Sequence, residues 1–367
     1  MPDYIKKPPV YEVNSVAEYM GYMRQYHLES CISRGEDRQY TLLNAAAFRR
    51  NSSLEIQKMV TAFEQRIGNS LTEMQHRHFL AFSQHHGLPT NLLDFTFSPL
   101  ISLYFACGGD QEEDGYVYFI QKDRLIDISD HLDLINTVFF PSFLIASPEL
   151  EDLFSGITSV FVQNEAYVFE FMEHIGRVVE SVPGCDAVRM EIQRILREKS
   201  SYDIDQLDGL ITAMKKRLRA IRGLKTEMPL DALGSYGCLF VQMMQLLVLI
   251  ARRDGPFGAP FYFTYEPANI TDRVSNQSSI FIYQLYGING IRQGIYPDLA
   301  LRITNKEEIL ADLDCLGINE QFIFNDYDHI ADYIKKKYLK RSDRCEQTFV
   351  RLQRLSPSSQ TGDAEEI

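Results

Sequence analysis

The sequence predicts an α+β protein, with a small mixed or antiparallel core sheet flanked by helices and a large helical insertion between its strands. Three observations carry this. Segments rich in aromatic and β-branched residues, YVYFIQ at 116–121 and SSIFIYQ at 278–284, read as strands yet stand far apart in the chain. Between them, from about Asp123 to Arg253, the pattern changes to long helical stretches. Elsewhere, capped helices alternate with extended pieces at Gly and Pro punctuation.

From the N-terminus, aromatic and aliphatic spacing predicts a helix over Ser15 to His27. ESCISRGED then reads as a short strand running into a turn at Gly35, which places Arg34 where the strand ends. Two capping boxes, Ser52 with Glu55 and Ser70 with Glu73, open the next helices. The second runs through MQHRHFLAFSQHH and stops at Gly87, with Pro89 beyond, so His85 and His86 sit at a helix end. TNLLDFT is extended, Ser98 and Pro99 start the helix PLISLYFAC, and Gly108 and Gly109 close it. DQEEDG is a solvated turn before the strand YVYFIQ.

Within the helical region, DQLDGLITAMKKRLRAIRG places its basic end at the C-terminal turn, as the helix dipole favours. Tyr236 to Ala251 is apolar but falls short of the ~20 residues of a membrane span. It also carries two glutamines and reads as a buried helix. Strand character returns in PFYFTYEP and SSIFIYQLYG, followed by two amphipathic helices, NKEEILADLDCLG and DHIADYIKKKY. The expected organisation is therefore a first part of the sheet domain over 1–122, a helical insertion over 123–255, a second part over 256–340 and a polar disordered tail over 355–367.

Composition narrows the function classes. The 367 residues are 45% hydrophobic and 24% charged, enough to bury a large core. A net charge of -13 argues against bulk nucleic-acid binding. The six cysteines form no C-x-x-C pair and read as reduced thiols in a cytoplasm. The start, MPDYIKKPPV, lacks the apolar core of a signal peptide, so a cytoplasmic location and no membrane partner are expected.

The densest polar stretch is QHHGLPTNLLDFTFSPLISLYFA, from Gln84 to Ala106, which offers His85, His86, Thr90, Asn91, Asp94 and Thr96 in the turn between two helices. Side chains on such a turn are positioned by the rigid elements around it. Asp94 in the apolar context LLDF is expected to be buried and partnered, with Arg34 within salt-bridge reach. Adjacent histidines on a helix diverge by about 100°, and neither has zinc-site spacing, so no metal is expected. There is no G-x-S-x-G elbow, G-x-G-x-x-G turn or P-loop, and Cys31 near Arg34 has no orienting group.

That stretch closely resembles the central motif of FRG-domain proteins, roughly Q-H-x-G-x-P-T-R-L-L-D-W-T-x-S-P-x-x-A-L-Y-F-A. SRG at Ser33 to Gly35 resembles the (F/Y)RG motif, and LLNAAAFRR resembles L-x-P-S-x-x-R, with Arg49 at its end. RVSNQSSIFIYQ resembles R-I-x-x-Q-x-G-x-F, and the segment from Glu307 to Ile334 resembles the closing helix, L-F-P-D, helix pattern. The departures are Asn91 for the family arginine, Phe95 for tryptophan, Ser33 for the aromatic residue and Ser279 for glycine. Asn91 removes a permanent cation that would bind a carboxylate or phosphate bidentately.

The order of parts is further similar to the arginine, serine, glutamate layout of ADP-ribosyltransferases. The resemblance implies that Arg34 holds NAD, that Thr96 supports the nicotinamide ribose and that Gln277 stands near the third position. Gln277 can hydrogen-bond a ribose hydroxyl but is no general base. Gly35, His85, His86, Thr90, Asn91, Asp94 and Tyr104 are the expected binding residues around these three. The expected protein is a cytoplasmic bacterial effector or toxin-like enzyme of phage-defence type. It would bind NAD as substrate, or another nucleotide, transfer or cleave ADP-ribose, and use a protein acceptor or antitoxin-like partner. The alternative is a non-catalytic ligand-sensing or protein-interaction module. Under the enzyme reading, replacing Arg34 by Ala abolishes activity and leaves the melting temperature nearly intact.

Overall fold

The computed structural model describes residues 7–40, 42–49, 55–131, 151–163, 165–180, 182–198, 204–220, 255–268, 272–286 and 291–339. Its centre is an eight-stranded mixed sheet. In spatial order the strands are β1 (Val10–Val13), β10 (Leu299–Ile303), β4 (Gly115–Gln121), β2 (Cys31–Glu36), β3 (Leu92–Thr96), β8 (Ser279–Tyr283), β7 (Tyr262–Tyr265) and β5 (Leu125–Asp127). The outermost pairs, β1 with β10 and β5 with β7, are parallel, and all inner pairs are antiparallel. A separate parallel pair joins β6 (Gly255–Phe257) to β9 (Ile291–Gln293). The α+β class is as the sequence predicts, and the four expected strand segments become β2, β4, β7 and β8.

Strand alternation divides the interior in two, because successive side chains leave a sheet on opposite faces. Tyr116, Tyr118 and Ile120 of β4 enter one core, while Val117 and Phe119 enter the other. The second core is closed by Tyr19 and Met23 of α1 (Val16–Gln25), Leu103 and Ala106 of α5 (Pro99–Ala106), and Ile309 and Leu313 of α11 (Lys306–Cys315). The first core packs against α2 (Ile56–Ile67) and α4 (Phe79–His85). It continues into the inserted helices α6 (Glu151–Gln163), α7 (Glu165–Val179), α8 (Asp186–Arg197) and α9 (Ile204–Arg219). Phe161 meets Phe261 edge-on at 5.9 Å, and on α8 the buried Val188, Ile192 and Ile195 form the helical stripe that seals the insertion.

Two glycines let a helix rest directly on the sheet. A Cβ at Gly35 would lie 2.7 Å from the Ala106 backbone nitrogen and closer still to the Ser102 carbonyl oxygen. At Gly115 it would collide with the Ala106 carbonyl. Only residues without a side chain allow α5 this approach.

Several local expectations are corrected. β2 does not turn at Gly35 but continues to Glu36, still paired with β4. Ser70 does not cap a helix, because it closes a tight turn and its hydroxyl donates to the Ile67 carbonyl. The capping box lies two residues on, with Thr72 and Gln75 at the start of α3 (Glu73–Arg77). Ser52 lies outside the described residues, and α2 starts behind Glu55. The single helix expected over 74–86 breaks at His78, whose Nδ1 is 2.5 Å from the Tyr265 hydroxyl. Gly87 ends α4 at φ +84°, as its sequence position predicts. The C-terminal segments form α11, then α12 (Glu320–Phe324), then a helix over 327–339. The expected helix at Tyr236 to Ala251 and the tail at 355–367 lie outside the described residues. No helix of the described residues is long and apolar enough to cross a membrane.

Candidate functional site

β2 and β3 pair at a single position, Ser33 opposite Thr96, whereas their outer neighbours run alongside them over five or six residues. Beyond that pair the two strands part, and a cavity of about 310 Å³ opens between them. Ser33 holds the closed end, with its Oγ 2.8 Å from Ser102 Oγ on α5.

Arg34 spans the opening. Its Nη1 donates to the Asp94 carbonyl at 2.6 Å, a bond from a side chain where a regular ladder would supply a backbone N–H. Its Nε donates to Glu36 Oε1 at 2.7 Å, and Asp94 Oδ2 lies 3.6 Å from Nη1. Burial by itself would lower the Arg34 pKa, but the Glu36 and Asp94 charges outweigh it and raise the value. Glu36 is shared with Arg49, whose Nη2 is 3.4 Å away. The Arg34–Asp94 contact is as expected, but Asp94 is not buried: its side chain is 61% exposed and leaves β3 on the face opposite the buried Leu93 and Phe95.

Thr96 and Gln277 reach the same cavity from different segments. The Thr96 hydroxyl donates to the Gln277 carbonyl at 2.6 Å and accepts from the Ser98 N–H at 2.9 Å. It therefore fixes the turn between α10 (Asp272–Asn276) and β8, in which Ser278 takes the left-handed conformation, φ +46°. Ser98, expected as the cap of α5, makes no side-chain cap bond. The Gln277 Nε2 donates to the Ile323 carbonyl at 3.4 Å. Phe105 and Arg273 complete this side, with the Arg273 guanidinium over the Phe324 ring at 4.9 Å.

At the far end of the cavity, the buried Lys306 ammonium donates to the carbonyls of Asp37, Gly108 and Asp110 at 2.7, 3.1 and 2.9 Å. It ties the end of β2 to the loop after α5.

Of the expected site residues, Arg34, Gly35, Asp94, Thr96 and Gln277 line the cavity, and the other five do not. Thr90 is buried, bonded to the Gln84 side-chain oxygen, while Gln84 Nε2 donates to Asp94 Oδ1 at 2.8 Å. The polar Gln84, Thr90 and Asp94 of the motif thus knit the turn together. Asn91 is fully buried, its Nδ2 donating to the Gln284 carbonyl at 3.2 Å, so it belongs to the core and not to the expected set of binding residues. His86 packs on Phe82 with ring centroids 4.4 Å apart. His85 is held below the ordinary imidazole range, first by burial and then by the nearby Arg273 charge. Tyr104 packs into the core behind α5, where burial pushes its phenol up to about 12.

Sequence reasoning missed Glu36, Arg273 and Phe105 as site residues. Signals for the first two were present: Glu36 follows SRG directly, and Arg273 opens RVSNQSSIFIYQ. The thiols of Cys31 and Cys107 are raised to about 11 and about 12, chiefly by burial, which makes them poor nucleophiles. Among the described residues no cluster of three His, Cys, Asp or Glu side chains is placed to share a metal ion.

No curated protein and no solved structure matches the chain. The family resemblance carried by SRG and by the Gln84 to Ala106 motif is supported, because residues 19–115, which contain both, match the family model of the FRG domain.

Proposed function

We propose that the cavity between β2 and β3 binds NAD or another nucleotide and that the protein transfers or cleaves its ADP-ribose. The observation that carries this reading is the convergence of Arg34, Thr96 and Gln277, from three separate segments, on one cavity. In this reading Gln277 hydrogen-bonds a ribose hydroxyl, Thr96 holds the Gln277 turn in place, and Arg34 keeps the cleft open. The cavity is at the small end of the usual ~300–1,000 Å³ for ligand sites, so a whole dinucleotide extends beyond its mouth. Glu36, tied to two guanidinium groups, serves as a counter-ion and not as a base, which leaves catalysis to positioning and electrostatics. The wider role as a bacterial effector or toxin-like enzyme of phage-defence type is supported by the family resemblance alone.

The test is titration of the protein with NAD by calorimetry, alongside mass spectrometry of any co-purified nucleotide and an assay for nicotinamide release. Saturable binding with release is the expected result, and absence of any nucleotide binding overturns the reading. The second reading, a non-catalytic sensing or interaction module, is favoured by the Thr96 hydroxyl, which is engaged by backbone groups on both sides. Binding without turnover selects it.

A further inference from the structure

Arg34 makes an unsuitable anion clamp. A guanidinium binds phosphate best through two parallel N–H groups, from Nη1 and Nη2 or from Nε and Nη2. Here Nε is taken by Glu36 at 2.7 Å and Nη1 by the Asp94 carbonyl at 2.6 Å, so neither fork is free. Its charge is also met twice, by Glu36 and by Asp94 at 3.6 Å.

Arg273 differs on each count. It lines the same cavity, and among the described residues no carboxylate lies within ion-pair reach of it. Its guanidinium lies over Phe324 at 4.9 Å, which directs the planar group without engaging its N–H donors. The support is itself held. His329 stacks on Phe324 at 4.2 Å and 15°, with the imidazole Nδ1 2.6 Å from Asp326 Oδ2. Phe105, which also lines the cavity, meets Phe324 edge-on at 6.1 Å. Asn276 Nδ2 anchors the short helix α10 to the Phe322 carbonyl at 2.8 Å.

We infer that Arg273, presented by the Phe324–His329 stack, holds the anionic phosphate group of the ligand, while Arg34 holds the cleft open and makes no phosphate fork. This deepens the nucleotide reading and rests on it for the identity of the ligand, but not for the presence of the anion subsite. Loss of one charge-assisted arginine–phosphate contact is expected to weaken binding about 10- to 100-fold.

The test uses the full chain with three probes: ADP-ribose, inorganic pyrophosphate and nicotinamide riboside, which lacks the phosphate. Arg273→Gln should weaken the first two about 10- to 100-fold and leave the third unchanged. Arg273→Lys should recover part of the loss, because it keeps the charge but not the flat stack. Phe324→Leu should weaken the same two probes with Arg273 still present. Thermal unfolding of each variant confirms that the fold is retained. If wild type binds ADP-ribose and Arg273→Gln binds it equally well, this inference is overturned while the nucleotide reading stands. If wild type binds pyrophosphate through Arg273 but no nucleoside-containing probe, the nucleotide reading fails and the anion subsite stands. Absence of binding to all three overturns both.

Discussion

Replacing Arg34 by Ala tests whether this residue is part of the frame. The guanidinium is 12% exposed and Glu36 10% exposed, so the pair is largely shielded from water. The substitution removes the 2.7 Å bond to Glu36 and the 2.6 Å bond to the Asp94 carbonyl, and leaves the Glu36 carboxylate with Arg49 at 3.4 Å. Breaking a buried ion pair costs about 3–5 kcal/mol when one charge is left alone. Arg49 compensates in part, so about 2–3 kcal/mol is expected. At about 1–2 °C per kcal/mol for a chain of this length this lowers the Tm by roughly 2–6 °C, in contrast to the unchanged Tm that a pure ligand clamp implies. Differential scanning calorimetry of wild type, Arg34→Ala, Glu36→Gln and the double variant measures this. The double variant should be more stable than Arg34→Ala alone, because the partly unpaired carboxylate is gone. A Tm for Arg34→Ala within a degree of wild type would refute the reasoning and return Arg34 to the role of a clamp.

Gly35→Ala pushes a methyl into the Ser102 and Ala106 backbone of α5, which cannot swing aside as a side chain would. The expected cost in urea unfolding is at the upper end of about 1–3 kcal/mol, and a neutral result would show that α5 can lift off the sheet. Burial, aided by the Arg177 charge, pushes His174 down to about 4. The unfolded chain then binds the proton from about pH 6.5 while the folded chain does not, so stability falls as the pH drops from about 6.5 to about 4, by about 3 kcal/mol in all. His174→Phe should flatten that part of the Tm-against-pH curve, and an unaltered slope would count against it. Lys306→Met leaves three carbonyls without their shared ammonium. It should cost about 2–3 kcal/mol and raise hydrogen exchange at Gly108 and Asp110, whereas unchanged exchange there would remove Lys306 from the frame of the cavity.

The fold was legible where local chemistry decides. Alternating aromatic and branched residues in β4, the helical spacing of α1 and the left-handed Gly87 all read directly. The edge strand β1 and its neighbour β10 escaped because VYEV and LALRI are too short and mixed to stand out without their partners. At Ser70 the S-x-x-E pattern was present, but a tight turn had engaged the hydroxyl, and Thr72 two residues later won the cap.

Of the site, the sequence showed the three segments that meet but not how their side chains are used. Asp94 was misjudged because its neighbours Leu93 and Phe95 are buried, whereas strand alternation sends the residue between them to the opposite face, where its side chain is exposed. Asn91 was misplaced for the converse reason, since its burial depends on Gln284, 193 positions away. Arg273 and Phe324 could not be paired by reading, because what joins them is a stacking contact between two short helices on separate segments.

The Lys306 tether has a consequence for how the protein comes into being. It joins Asp37 to a residue 269 positions later, and β3 and β4 likewise wait for β8 and β10 from the last third of the chain. While synthesis is under way, the segment from β2 to β4 presents two raw strand edges, on β3 and on β4, the kind of surface that invites mispairing with other chains. Closing such distant contacts is slow relative to local helix formation. A polypeptide halted between β4 and α10 would carry Arg34 and Thr96 yet lack Arg273 and Gln277, so any ligand-dependent action through this cavity begins only after some three quarters of the chain has been made and has closed upon itself.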